Sequence, residues 1–261
     1  MKRTPTVLNP NDFPPEFEAL LSRSKIFDSS CSPEARVWFL DVDGGYYLKR
    51  AQKGSLTREA EMTRYFHAKG LGAGVVFYLS TDCDYLLTTR VSGEDCTHAM
   101  YLENPKRLCD LLAERLRMLH ELPYDGCPVT NRMDVYLQTV RENRSKGVFD
   151  PSFFEREGSA TDAEEVYRIA QKGSARFQND TLLHGDYCLP NVMLNDWQFS
   201  GFIDLGQGGV GDRHVDLFWG AWTLNFNLKT DCYRDRFFDA YGRDRIDFER
   251  LQIVAACEAF G

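Results

Sequence analysis

The stretch "HGDYCLPNVMLNDWQFSGFIDLG", residues 184–206, decides how the rest of the chain is read. Its segments "VML" and "FSGFI" are apolar or β-favouring and are separated by "NDWQ", which predicts a β-hairpin. Pairing brings Asn191, just before the first strand, beside Asp204, just after the second. A carboxylate and a carboxamide oxygen at one end of a hairpin suit a hard cation such as Mg²⁺, which takes oxygen ligands and bridges substrate phosphates. Asp186, in the loop before Asn191, is then placed to accept a hydrogen bond from an incoming hydroxyl. Alone, an H-G-D triplet reads as a turn and I-D-L-G as a strand end. In this order, at hairpin-compatible spacing, they match a phosphoryl-transfer site with a catalytic-loop Asp, a downstream Asn and a later Asp.

Such a site makes a second demand, a strand Lys for the nucleotide phosphates and an acidic residue on the following helix to orient it. "GGYYLKRA" supplies Lys49 at a strand position and "TREAEMTRYF" supplies Glu59. Glu61 competes with Glu59 but falls off its helix face. Read singly, Lys49 is a solvated edge residue and Glu59 a surface charge; the order Lys, Glu, Asp, Asn, Asp raises both above that.

The organisation agrees. "ARVWFLDVDGGYYLKRA" is two apolar-rich runs around a D-G-G turn, a hairpin signature. "SLTREAEMTRYFHAKG" has helical spacing and a closing glycine, and "GVVFYLSTDCDYLLTTRV" reads as two strands joined through Asp82 to Asp84. From about residue 92 the chain turns helical. "PKRLCDLLAERLRMLHELP" carries a leucine stripe that ends at Pro123, and Trp219, Trp222 and Phe226 share a helical spacing whose default is a core stripe. The expectation is an α+β chain with a small β-rich lobe over 1–91, holding one main helix, and a larger, mainly helical lobe over 92–261.

A net charge of -8 argues against nucleic acid, whose phosphates call for a basic face. It is compatible with a cationic ligand, and equally with simple solubility. No apolar run approaches the roughly 20 residues that span a bilayer, so no membrane association is expected. No C-x-x-C pair occurs among the eight cysteines and no apolar signal segment follows the N-terminus, so reduced thiols in a cytoplasmic protein are expected.

With these motifs in place the chain resembles the aminoglycoside phosphotransferases, a branch of the protein-kinase-like fold, and most closely the 3'-phosphotransferase (kanamycin kinase) subgroup. The likeness is carried by "HGDYCLPNVML", "FSGFIDLGQGGVGDRHVDL", "DSSCSPEARV" and "YYLKR", and it runs over most of the chain. "HGD" with the later Asn also fits choline kinases; the pairing of "SGFIDLG" with "GDRHVDL" is specific to the subgroup. The resemblance implies a bilobal kinase-like fold, ATP or GTP with Mg²⁺ as cofactors, and a cationic aminosugar as acceptor. Asp186 would be the catalytic aspartate, Asn191 and Asp204 the metal ligands, and Lys49 and Glu59 the phosphate-binding pair. Ser32 would meet the β-phosphate, Tyr47 would stack on adenine, and Thr89 and Val91 would lend backbone groups to the purine. The last three groups also read blandly, as a turn serine, a core tyrosine and ordinary strand residues. His184 and Asp216 are expected to brace the loop, and His120 to be a satisfied packing residue.

The acceptor end departs from the subgroup. Gln207 stands where an arginine commonly follows I-D-x-G, and Phe226 and Asn227 replace expected acidic residues. Acidity survives in "DPSFFEREGSATDAEE", where Glu155 and Glu157 fall in the family's antibiotic-binding loop, and at the end, where Glu258 and Phe260 would contact acceptor. The same acidic loop also reads as a solvated segment. The resulting expectation is transfer of the nucleotide γ-phosphoryl to an aminoglycoside hydroxyl, the 3' position, by a monomer or weak dimer. The alternatives are a related kinase for choline, homoserine or a thio-sugar, and a silent nucleotide-binding protein.

Overall fold

The computed structural model describes residues 3–156, 158 and 162–261. It divides into two units, Met1–His98 with Pro190–Gly206, and Ala99–Leu189 with Gln207–Gly261. In chain order the first unit runs β1 (Thr4–Thr6), α1 (Glu18–Arg23), β2 (Lys25–Asp28), β3 (Ala35–Asp41), β4 (Tyr46–Gln52), α2 (Thr57–Ala68), β5 (Val75–Ser80), β6 (Cys83–Thr89) and β7 (Glu94–Asp95). The second unit follows with α3 (Ala99–Leu102), α4 (Pro105–His120), α5 (Arg132–Ser145), α6 (Ala163–Gly173) and β8 (Thr181–Leu183). The chain then returns to the first unit for β9 (Val192–Asn195) and β10 (Gln198–Phe202). It ends in the second with β11 (Gly209–Gly211), α7 (His214–Leu228), α8 (Arg234–Tyr241) and α9 (Phe248–Glu258).

In the first unit an antiparallel sheet of order β1-β2-β3-β4-β6-β5 has apolar residues on both faces. Trp38, Leu40, Leu48, Tyr85 and Leu87 pack one face against Phe13, Phe17 and Leu21. Leu86, Ala51, Val75 and Tyr78 pack the other face against Leu56 and Ala60 at the start of α2. The D-G-G hairpin forms as read, its turn using positive φ at Asp43, Gly44 and Gly45. Asp84 differs from the reading. It is the second residue of β6 rather than part of the turn, because β6 already pairs with β4 from Cys83 onward.

The hairpin of the opening stretch also forms. β9 and β10 pair from Val192↔Phe202 to Asn195↔Gln198, and β7 joins the far side of β9. Asp196 and Trp197 have φ +47° and +66°, the two left-handed residues that a tight two-residue turn needs to match strand twist.

The second unit is built on the leucine stripe of α4, whose Leu108, Leu112, Leu116 and Leu119 are buried. α4 packs against α8 and α7, and α9 against α6 and α7. The short pair β8–β11 is antiparallel and leads into and out of the loops around residues 184 and 207. The Trp219–Phe226 stripe is not core: Phe226 is 51% exposed and Trp219 and Trp222 are half-buried. Helical spacing marks one face of α7, and that face is only partly covered, by Phe153, which lies 5.8 Å from both tryptophan rings.

Candidate active site

Lys49 projects from the middle of β4, where its cross-strand partners are Val37 of β3 and Leu86 of β6. Its Nζ donates to Glu59 Oε2 at 2.7 Å and to Asp204 Oδ1 at 3.0 Å. Glu59 sits in the first turn of α2 and is buried, whereas Glu61 is exposed, so the helix presents the former to the strand. Burial works against the Lys49 ammonium, but the Asp204 and Glu59 carboxylates outweigh it and raise its pKa, so Lys49 stays charged.

Asp204 is the outer member of this set, with a side chain 51% exposed. Its φ of +59° is left-handed, a conformation that costs a non-glycine residue roughly 1–2 kcal/mol and that clusters at functional positions. The next-door amide, Ile203 N, donates to Asn191 O at 3.1 Å, and this bond closes the open end of the hairpin and sets Asn191 beside Asp204. Asn191 is buried.

These four residues line one pocket of about 260 Å³ within the first unit. Its other walls include Ala35, Val37, Ala73, Leu86, Val91 and Phe202, so a charged group adjoins an apolar chamber. Ser32, Tyr47 and Thr89 line it too. Ser32 is exposed, and its hydroxyl donates to Glu34, holding that carboxyl below its usual range. The Tyr47 ring lies 5.2 Å from Phe39, and its hydroxyl accepts from Arg3 Nη2 at 2.9 Å. Thr89 N donates to Gly74 O, so its amide is already engaged.

In the second unit Asp186 follows a turn held from behind. Asp216, fully buried, accepts from His184 N at 2.7 Å and from Gly185 N at 2.8 Å. His120 Nε2 reaches Asp216 Oδ2 at 3.2 Å, and His120 Nδ1 meets the Tyr241 hydroxyl at 2.8 Å. Burial lowers the His120 pKa, so the ring is neutral; it donates from Nε2 to the carboxylate and accepts from Tyr241. Asp186 N in turn donates to His184 Nδ1 at 3.3 Å. Gly185 has φ +85°, and a Cβ there would come within 1.8 Å of Gln207 O, so only glycine lets the turn lie on the 207 loop.

The family model "APH: Phosphotransferase enzyme family" matches residues 27–253. The chain belongs to this family. A probable aminoglycoside 3'-phosphotransferase of Lactococcus lactis subsp. lactis (strain IL1403) is 53% identical over 255 residues, covering 97% of each chain. The crystal structure of an aminoglycoside-3'-phosphotransferase of type VIII superposes with a TM-score of 0.74 at 23% identity, covering 89% of this chain and 92% of that one. An aminoglycoside phosphotransferase from Streptomyces rimosus, solved in complex with ADP and streptomycin, superposes with a TM-score of 0.70 at 22% identity, covering 86% of this chain and 90% of that one. The phosphotransferase therefore has an α+β kinase-like fold, and it is a kinase-type transferase that acts on a hydroxyl group.

Besides Asp186, the four residues expected to meet the acceptor fare unevenly in this phosphotransferase. Glu155 is exposed just beyond the helical turn Pro151–Phe153, and Glu157 lies outside the described residues. Glu258 ends α9, buried, and accepts from Tyr136 Oη at 2.8 Å and Trp219 Nε1 at 3.2 Å. Burial pushes its carboxyl up to about 7; Tyr136, Trp219 and Arg132 pull down, and the negative Asp186 pushes up. The Phe260 ring is fully buried, 5.2 Å from Phe149 and 5.6 Å from Tyr167, which closes it to an acceptor.

Three contributors escaped the sequence reading. Arg3 holds Tyr47. Arg132 donates to Gln207 O and Oε1, both at 2.7 Å, so a guanidinium stands beside residue 207 after all, delivered from α5. Tyr241 donates to His120 Nδ1, the nitrogen left as acceptor once Nε2 donates to Asp216. Each acts across more than forty residues of chain, and no local pattern announces such a contact. Among the described residues no helix is long and apolar enough to cross a membrane.

Proposed function

We propose that this phosphotransferase moves the γ-phosphoryl group of ATP or GTP, with Mg²⁺, to a hydroxyl of an aminoglycoside, the 3'-hydroxyl of a kanamycin-type acceptor. The observation that carries the transfer chemistry is Lys49 held between Glu59 and Asp204 in a pocket that also offers Asn191 and apolar walls. The acceptor reading rests on the 53% identity to the lactococcal relative. The ADP complex of the Streptomyces rimosus protein supports a nucleotide in the pocket.

In this reading Ala35, Val37, Leu86 and Val91 take the purine, with Tyr47 against it and the carbonyl rather than the amide of Thr89 facing it. Ser32 and Lys49 steady the phosphates. Two oxygen donors, one a half-exposed carboxylate and the other a carboxamide at the same hairpin end, fit Mg²⁺ that arrives with phosphate oxygens. Asn191 and Asp204 would hold that ion, whose charge neutralises the phosphates when bound. Asp186 accepts the hydrogen bond of the acceptor hydroxyl and orients it for attack. Glu155 and Glu157 meet acceptor ammonium groups, because a desolvated cation needs an anionic partner, and Glu258 joins them once its proton is released. The eight cysteines are all free thiols, which suits the cytoplasm, and we read the protein as a monomer or weak dimer there.

A second acceptor class, a smaller hydroxylated amine such as choline or homoserine, is favoured by one feature. Phe226 is aromatic with Lys229 4.3 Å above its ring, and Asn227 turns its amide back to Thr223, so neither position offers a carboxylate. A coupled assay of nucleoside-diphosphate release with ATP or GTP against kanamycin, neomycin, choline and homoserine separates the two. Release is expected with the aminoglycosides; release with choline or homoserine alone would reject the assignment.

A further inference from the structure

Asp84 in β6 is fully buried, and the donors that hold it are all neutral. Leu56 N donates to Oδ2 at 2.9 Å, Tyr78 Oη to Oδ2 at 3.1 Å and Ser80 Oγ to Oδ1 at 2.6 Å, with the Gly54 amide as a fourth. Among the described residues no cation pairs with Asp84, and a carboxylate withdrawn from water on neutral donors alone is expensive to keep, so its presence calls for a role. These donors outweigh burial and hold its carboxyl below the ordinary range, so it is ionised wherever the protein is folded near neutral pH.

Two of its donors, the Gly54 and Leu56 amides, lie at the beginning of one helix, and the other two, Tyr78 and Ser80, belong to β5. α2 has no side-chain cap of its own, since its N-cap residue is Leu56. A helix start leaves amides without partners and carries partial positive charge, and Asp84 answers both from a strand 28 residues away in sequence. A second link runs through Tyr78. Because its hydroxyl donates to Asp84, the Thr57 hydroxyl, 2.8 Å away, donates to Tyr78, which ties in the first residue of α2 as well. Glu59 comes two residues later, less than one helical turn on. On the sheet side, Asp84 and Leu86 share a face of β6, and Leu86 is the cross-strand partner of Lys49. One carboxylate therefore joins the helix that carries Glu59 to the strand pair that carries Lys49.

We propose that Asp84 is a positioning residue for the nucleotide site: it seats the first turn of α2 on the sheet so that Glu59 meets Lys49. The proposal rests on the reading of this pocket as the nucleotide site. It acts through Glu59, so its effect vanishes once Glu59 can no longer pair with Lys49. The test is a double-mutant cycle of Asp84→Asn and Glu59→Gln read as nucleotide KM, with hydrogen exchange of the amides of residues 54–60 measured in parallel on protein without nucleotide. Asp84→Asn is expected to raise nucleotide KM roughly tenfold with acceptor KM unchanged, and to add nothing in the Glu59→Gln background. Tyr78→Phe, a milder change that leaves three donors, should move KM about two- to threefold the same way. Faster exchange confined to residues 54–60 is expected in both Asp84→Asn and Tyr78→Phe. Unchanged exchange, or KM losses that multiply in the double mutant, would overturn the proposal. A wild-type chain with no nucleotide dependence would overturn the functional reading instead, and the exchange comparison would still decide what Asp84 does.

Discussion

In the first unit Lys49, Glu59 and Asp204 answer one another's charge directly, side chain to side chain, with Asp204 half open to solvent. In the second, Asp186 ends a turn whose amides are gripped by a buried carboxylate, Asp216, and behind it stand a neutral imidazole and a phenol. The first arrangement lets charges change partner: Asp204 is half open to solvent, and Glu59 stays on Lys49 if Asp204 turns to another cation. The second cannot rearrange without stranding buried donors, each worth about 1–3 kcal/mol. The proposed transfer would use both, a site whose charges re-pair as phosphate arrives and a loop that holds a hydroxyl acceptor still.

The largest effect should come from Asp186→Asn. The Asp186 amide is held by His184 and its side chain meets the Cys188 thiol, a contact that a carboxamide oxygen can still accept. Turnover, kcat, should therefore fall about a thousandfold while nucleotide KM stays at its wild-type value and stability moves by less than about 1 kcal/mol. A matching loss of stability would blur the contrast between the two units. Asp216→Asn should act first on stability. It sets an amide against two backbone N–H donors and should destabilise the fold by about 3 kcal/mol in denaturant titration, with turnover falling as the loop loosens. Stability within about 0.5 kcal/mol of wild type would mean the loop does not depend on the carboxylate.

The most gradual effect concerns Glu258, because it is spread over a pH window. Its folded pKa of about 7 lies above the ordinary 4.5, so between those values the folded protein keeps a proton that the unfolded chain has released. Stability should therefore be greatest below about 4.5 as far as this group is concerned, fall as pH rises to about 7, and level off above that. The slope is at most about 1.4 kcal/mol per pH unit, and Glu258→Gln should remove it from unfolding curves taken across the window. A variant with the wild-type slope would show that Glu258 titrates normally.

Much of the site could be read from local pattern. The β9–β10 hairpin declares itself through two apolar runs around a polar turn, and Asn191 and Asp204 follow from its register. Lys49 and Glu59 follow from a strand, a helix and their order. What stayed hidden depends on side chains that meet across the fold. Asp84 looks like one more acid in "STDCDYLL", and only the packing of α2 against β6 shows what it holds. Arg132 gives no hint that it will meet Gln207, 75 residues on. The first 28 residues carry strands of three and four residues and a six-residue helix, too short for any period to emerge. Trp219, Trp222 and Phe226 show the opposite error. Their spacing marks a face correctly, but the period says nothing about how much of that face is covered.

The most direct test is the product itself. Wild-type protein incubated with ATP or GTP, Mg²⁺ and kanamycin should yield an acceptor heavier by one phosphoryl group, with ³¹P–¹H correlation placing the new phosphomonoester at the 3' carbon. Unmodified kanamycin after many equivalents of nucleotide, from protein shown to be folded, would contradict the account.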